Sequence, residues 1–469
     1  MLRNQTYDGG RSTAPAARRA RVRLVLGLLA AAALGSLLWW GRWETAPRHA
    51  YPDTYWYARQ AVTMTGTPPA EADRFAARLV CRQGMPSPRP GVSCVTATRG
   101  WAADMPPRYQ RIFTTRPGYS LTLAPFVLAF GERGMVLATA ALAVLAGVLA
   151  ALAVRLLGGG LLSSLTATTL LFLLPTGFWL SRLLAEAGAT AFALAALCAA
   201  VPLLRPGGTT RGRLLLGGTV LAGLLASTVT RPATGLLLSG ALTAAIGVLT
   251  LARRRRAGWE PGLVVLTAAC GVATALWLGL SAALDIPGAA ETLQDKFTVH
   301  FTRPDVPDPW PRLVELNREF WPAQLNGWWN GGAPLAASPL LALLLIGFAA
   351  LFRALPGRAA LLFAAAGATG LLTLVAHPKQ SEADRLVLVI WLPVVIGLAM
   401  LLRGTTRADP APGAPGAPDR VGAASWAGEP ADRASGTDHP GARTPPAHPR
   451  GTAPDPCSDP TVGARRPPA

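Results

Sequence analysis

The feature that most constrains this chain is a series of long apolar runs with almost no charge in their interiors. The first covers 24–41, and others follow at about 134–157, 161–181, 183–204, 214–230, 233–252, 262–284, 335–352, 359–376 and 386–402. Such runs leave no polar face for water, and about 20 apolar residues in helical form match the hydrocarbon thickness of a bilayer. Every backbone N–H and C=O inside hydrocarbon must be satisfied within its own segment. The expected fold is therefore an all-α polytopic membrane protein with about ten transmembrane helices. The chain is 469 residues long and 51% hydrophobic, a balance that suits membrane spans better than an ordinary soluble domain.

The formal net charge is +19 and is carried almost wholly by Arg, since Lys occurs only at Lys296 and Lys379. A basic excess serves nucleic acid when it lines one folded face. Here it is divided between short loops and the termini, so nucleic acid is not an expected partner. Reading 1–23 as a basic cytoplasmic arm and 24–41 as a signal anchor places 205–213, 253–261, 353–358 and the tail from 403 in the cytoplasm. Each of these is Arg-rich, as orientation by positive charge requires. The expected layout is an extracytoplasmic loop over 42–133 with interfacial helices, and helices two to seven over 134–284. A second outer loop follows over 285–334, then helices eight to ten over 335–402. The tail 403–469 is Pro-rich, holds few large apolar residues and is expected to be disordered. The expected location is the plasma membrane, multi-pass, with both termini cytoplasmic.

The first outer loop opens with RHAYPDTYWYARQAVTMTG, in which Asp53 stands among Tyr51, Tyr55, Trp56 and Tyr57. Asp is a preferred helix N-cap, so the plain reading has Asp53 capping a helix that runs to about Thr65 and stops at Gly66. The functional reading is a carboxylate at the membrane surface that accepts a proton or holds a divalent cation. A second helix is expected to about Arg82, 84–118 reads as irregular, and 119–130 reads as a helix lying in the interface. Cys81 and Cys94 share this loop and can pair if it faces an oxidising compartment. The second outer loop is rich in Trp, Phe and Pro and is expected to rest on headgroups.

Several cations stand at the outer rim against the general charge bias. Arg116-Pro117, Arg231-Pro232 and Arg303-Pro304 are three, and 377–385 adds His377, Lys379 and Arg385 beside Glu382 and Asp384. An Arg there can grip a phosphate through two parallel hydrogen bonds, or simply snorkel to lipid headgroups. Glu186 lies near the outer end of an expected span; an i,i+4 pair with Arg182 explains it structurally, and a functional acid is the alternative. Walker, GxSxG, HExxH and Cys/His metal patterns are lacking from the sequence.

The layout and three stretches, YPDTYWYARQAVTMTG, RPGYSLTLAPFVLAFG and SEADRLVLVIWLP, resemble the GT-C superfamily of integral-membrane glycosyltransferases, as in the aminoarabinose transferase and the protein O-mannosyltransferases. Many members carry paired acids where this chain has Asp53-Thr54, and a DxD pattern is absent. The resemblance implies a polyprenyl-phosphate-linked sugar donor, an envelope acceptor and a surrounding membrane lipid phase. It implies a donor phosphate met by Arg116, Arg231 or Arg385, with Tyr119 and Glu186 as further substrate-binding residues. Asp53 would be the catalytic base of an inverting transfer; a divalent cation is left open, with no metal ligand set assigned. The alternatives are a multi-pass transporter or flippase and a non-catalytic protein of envelope assembly. Span interiors of Ala, Leu, Gly, Val and Thr speak against ion-coupled transport.

Overall fold

Every regular element among the described residues is helical, because the apolar runs are too long for strands and Ala, Leu and Gly dominate them. The computed structural model describes residues 14–330 and 338–403. The expected tail beyond 403, residues 1–13 of the basic arm, 331–334 of the second outer loop and 335–337 of the eighth expected span lie outside the described residues.

In chain order the helices are α1 Ala14–Glu44, α2 Pro52–Met64, α3 Pro69–Arg82, α4 Cys94–Asp104, α5 Pro107–Thr114, α6 Pro117–Phe130 and α7 Glu132–Leu156. Next come α8 Leu161–Leu173, α9 Pro175–Leu180, α10 Glu186–Leu203, α11 Thr210–Thr230, α12 Pro232–Ala257 and α13 Pro261–Ala283. The last are α14 Ala289–Phe297, α15 Pro309–Asn330, α16 Ser338–Ala354, α17 Gly357–Ala376, α18 Ala383–Leu386 and α19 Trp391–Leu401. Seven of them, α1, α7, α10, α11, α12, α13 and α17, are long and apolar enough to cross a membrane. The chain is thus an all-α polytopic membrane protein. The other three expected spans are shorter apolar helices: α8 with 13 residues, α16 with 17, and the segment Leu388–Leu401.

The run expected as one helix over 161–181 breaks at Leu174, where φ is −69° and ψ is 171°. Pro175 disfavours helical conformation in the residue before it and has no N–H to continue the ladder. The expected helix over 183–204 begins only at Glu186. The segment 181–185 between α9 and α10 is therefore not part of a span, although all of it is buried.

The Arg-rich turns gather at one end of the bundle. Arg358 bonds the Glu260 carboxylate (Nη2–Oε1 2.8 Å) and the Leu204 carbonyl (3.3 Å). Arg205 donates to the Leu156 carbonyl, and Arg403 to that of Leu157 at 3.4 Å. These are cations on the open C-terminal carbonyls of α7 and α10, where the helix dipole favours them.

At the other end the two expected outer loops form one helical layer. Helix α2 packs on α3, α5 and α6, and Cys81 and Cys94 are disulfide-bonded between α3 and α4. The stretch 84–118 is not irregular: α4 is capped by the Ser93 side chain on the Thr96 N–H, and Pro107 starts α5. The second loop likewise folds, into α14 and α15. It is tied to the first by Arg108, which bonds Glu291 (Nη2–Oε2 2.7 Å) and Asp305 (2.8 Å). Arg108 also lies 4.3 Å over the Phe301 ring. Val299, His300 and Phe301 all have positive φ, near 52°, 61° and 59°. Three consecutive left-handed non-glycine residues are costly and persist only where surrounding contacts hold them.

Two helix ends of the outer layer approach each other closely. A Cβ at Gly118, at the start of α6, would stand 2.6 Å from the backbone nitrogen of Thr230, at the end of α11. Glycine here lets the two ends meet and brings the Arg116-Pro117 and Arg231-Pro232 pairs beside one another. Gly118→Ala is expected to destabilise the protein by about 1–3 kcal/mol through overpacking. Its melting temperature in nanodiscs should fall, and an unchanged value would mean that these ends are not in contact.

Candidate functional site

Helix α2 starts two residues earlier than the sequence pattern suggests. Pro52 takes the first helical position, which suits its fixed φ, so Tyr51 becomes the N-cap. Thr54 then does the local capping work, its Oγ1 accepting from the Tyr51 N–H at 3.0 Å and donating to the Leu183 carbonyl at 2.8 Å. Asp53 is not the cap, and its carboxylate is free to point elsewhere. Leu183 N–H also donates to the His49 carbonyl at 3.0 Å, so the start of α2 is stitched to 181–185 and lies beside Glu186.

Asp53 Oδ2 accepts a hydrogen bond from Arg385 Nη2 at 2.7 Å. The Nε of the same guanidinium donates to Glu186 Oε1, and Arg231 Nη2 stands 3.5 Å from that oxygen. Arg385 is thus a bridge between two carboxylates, and Glu186 is shared by two arginines. Exposure of the side chains falls from 25% at Asp53 through 14% at Arg231 and 12% at Arg385 to 0% at Glu186, so the network is entered from the Asp53 side. Ion pairs of this burial are screened little by solvent.

The Arg-Pro pairs supply the cations by a shared local mechanism. A residue before proline is pushed out of the helical region. Arg231 has φ −147° and ψ 89°, Arg116 φ −117° and ψ 62°, and each is the N-cap of the following helix, α12 or α6. His377, before Pro378, has φ −135° and ψ 69°. The charge of Arg116 acts on Asp53, Tyr57 and His377, which places it at the same site. Among the described residues Arg116 has no carboxylate within 4 Å. Arg303 is exposed in the second loop and takes no part in this network among the described contacts.

Burial alone would raise the Asp53 carboxyl, but Arg385, helped by Arg116 and Arg231, holds it below its ordinary range. It is therefore ionised at neutral pH. His377 is pushed down to about 4 by burial and by Arg116 and Lys296, so its ring is neutral. Lys296 of α14 donates to the Pro378 carbonyl at 2.7 Å and is lowered to about 8 by burial and by Lys379. Tyr57 is buried beside Asp53, and its phenol is pushed up by burial and by the Asp53 charge. Tyr119 lies a layer beneath: it is fully buried, its ring is edge-on to Tyr57 at 5.1 Å, and its hydroxyl is 2.7 Å from Thr139 Oγ1.

Of the sequence-based candidates, Asp53, Glu186, Arg231 and Arg385 form one network, Arg116 faces it and Tyr119 supports it from below. The pair expected between Glu186 and Arg182 does not form. Arg182 precedes the first residue of α10, so helical i,i+4 spacing does not apply to it. Lys296 is not a candidate on sequence grounds, because its position depends on the fold of α14. No group of three or more His, Cys, Asp or Glu placed to hold a metal occurs among the described residues. One oxygen of each of Asp53 and Glu186 is engaged by Arg385, Oδ2 and Oε1 respectively. The residues offer one ionised carboxylate at the mouth and a cationic floor suited to an anion. In comparisons with protein-family models, curated proteins and solved structures, nothing matches this chain.

Removing the Asp53 charge should show in the pH dependence of stability. A carboxyl depressed in the folded state stabilises it above the ordinary carboxylate range, near 3.8, and that contribution is lost as pH falls through the folded value. Asp53→Asn is expected to cost about 1.5–3 kcal/mol at neutral pH, the worth of a charge-assisted bond. The gap in melting temperature between the two proteins should close as pH drops below that range. A gap that persists unchanged at acidic pH would contradict the ion pair.

Proposed function

We propose that this protein is a membrane glycosyltransferase that moves a sugar from a polyprenyl-phosphate donor to an envelope acceptor on the extracytoplasmic face. The observation that carries the reading is the convergence of Asp53, Arg116, Glu186, Arg231 and Arg385, drawn from five separate chain segments, on one partly open site. Asp53 Oδ1 has no hydrogen-bond partner among the described residues, so the side chain keeps an acceptor available while Oδ2 is held by Arg385.

In this reading the acceptor hydroxyl hands its proton to Asp53 as its oxygen attacks the anomeric carbon of the donor. The bond from that carbon to the phosphate oxygen breaks, and the electron pair leaves with polyprenyl phosphate. Arg116 and Arg231 offset the charge that grows on the leaving phosphate, at a point where positive groups lower the barrier most. Arg385 keeps Asp53 ionised and aimed, and Glu186 keeps Arg385 and Arg231 in place. The outward side of the site is supported by the Cys81–Cys94 disulfide in the same helical layer, since such bonds persist in oxidising compartments. The gathering of Arg-rich turns at the opposite end agrees with it.

The test is made in a deletion strain complemented with wild type, Asp53→Asn or Arg116→Gln. Envelope glycans and polyprenyl-phosphate sugars are compared by mass spectrometry. Wild type alone should restore the missing sugar. The Asn variant should leave the lipid donor accumulated, and Arg116→Gln should reduce transfer by about tenfold or more, in keeping with loss of one anion-stabilising group. Full restoration by Asp53→Asn would refute the base assignment, and unchanged pools in the deletion strain would refute the transfer itself.

A further inference from the structure

Segment 181–185 meets the start of α2 through Leu183, whose carbonyl accepts from Thr54 and whose N–H donates to the His49 carbonyl. Its neighbour Arg182 is 1% exposed, and the Arg182 Nε has no hydrogen-bond partner. Its guanidinium carbon lies 3.9 Å over the Phe178 ring, and Nη1 donates to Ser181 Oγ at 3.1 Å. No carboxylate lies within ion-pair distance of it among the described residues. A buried cation without an anion is among the costliest arrangements a fold can hold, and it is normally paired.

The neighbours make the imbalance larger. Arg42 and Arg48 both act on Arg182 as like charges, and the Tyr51 phenol is within hydrogen-bonding reach of it. Arg48 is exposed, sits 4.5 Å over the Tyr51 ring and has no carboxylate partner among the described residues. Arg42 is committed, its Nε and Nη2 donating to the Phe172 and Leu173 carbonyls at 2.8 and 2.5 Å. His49 stacks on Trp43 at 3.7 Å, and its Nδ1 is a second buried atom without a partner. Next to this cluster, Trp40 at 59% and Leu173 at 56% exposure present apolar surface outward, as lipid-facing residues do. The cluster thus lies where the apolar belt ends, at headgroup level.

We propose that Arg182, Arg48, Tyr51 and His49 form a second anion site, distinct from the Asp53 site, that takes the phosphate of a membrane lipid whose headgroup is net anionic and so brings no cation of its own to this cationic cluster. Arg182 supplies the buried charge, Arg48 closes over the phosphate from the water side, and the Tyr51 hydroxyl and a His49 N–H complete its hydrogen bonds. The site holds the lipid against 181–185, the segment that leads into Glu186, so an occupied site braces the floor of the Asp53 network.

The test uses the full chain in nanodiscs of phosphatidylcholine alone, of phosphatidylcholine with phosphatidylglycerol, and of phosphatidylcholine with added inorganic phosphate. Retained lipid is read by native mass spectrometry and stability by thermal unfolding. Phosphatidylglycerol should be retained in preference to phosphatidylcholine and should raise the melting temperature of wild type. Arg48→Gln should weaken that retention by about tenfold or more, the loss of a charge-assisted contact. Arg182→Gln should abolish it, and Asp53→Asn should leave it unchanged. Stabilisation by inorganic phosphate alone, again lost in both arginine variants, would assign the site to a soluble phosphate source. The Arg48 variant is at the surface and keeps the test decisive if Arg182→Gln fails to fold. Absence of any anion-dependent change in wild type, or a change that Arg48→Gln leaves intact, would overturn the proposal.

Discussion

The Arg385 guanidinium joins Asp53 of the first outer loop to Glu186 at the head of α10, from a position 332 residues along the chain from Asp53. Much of the outer architecture is arranged around that bridge. Tight contact at Gly118 brings the Arg116 and Arg231 helix ends together, and the hydrogen bonds of Leu183 seat the start of α2 beside Glu186. Buried ion pairs are a weak source of stability, since desolvation offsets most of their attraction. In the proposed function, a network of two carboxylates and two or three arginines is kept for its effect on a ligand.

Short helices rather than loops make up the outer layer, and proline is the reason. Each of α2, α3, α5 and α6 begins with proline at its first helical position, preceded by a residue in extended or pre-proline geometry. This device turns the chain sharply and sets side chains at the helix starts, where Asp53 and Arg116 are found. Clamping of the second outer loop to the first through Arg108 then brings Lys296 to the same rim. Rigid placement of several charges at one surface is what anion recognition requires, because little reorganisation remains to be done on binding.

Much of the membrane scaffold is legible from hydropathy, and the Cys81–Cys94 pairing from loop membership. The departures have local causes. Asp53 looks like a cap because Asp favours that role, yet the adjacent Pro52 claims the first helical position and moves the cap to Tyr51. Sequence spacing matches Glu186 with Arg182, but that spacing holds only inside a helix, and α10 starts after Arg182. The aromatic and proline content of 285–334 suggests a loop resting on lipid; two of those prolines, Pro309 and Pro311, instead sit in the first turn of α15, where they are tolerated. Arg385 is a candidate from its position in a short outer loop, but its partners are long-range contacts that no local pattern encodes.

The claim that the network is held for chemistry rather than for stability has one direct measurement. Asp53→Asn, Glu186→Gln, Arg231→Met and Arg385→Met would be combined, so that no member of the network is left as an unpaired buried charge, and unfolding in nanodiscs measured beside the proposed sugar transfer. Replacing a whole buried ion network with neutral or apolar groups is often neutral or stabilising. The account predicts a melting temperature equal to or above that of wild type with transfer abolished. A quadruple variant that unfolds far more easily than wild type, or one that still transfers, would contradict it.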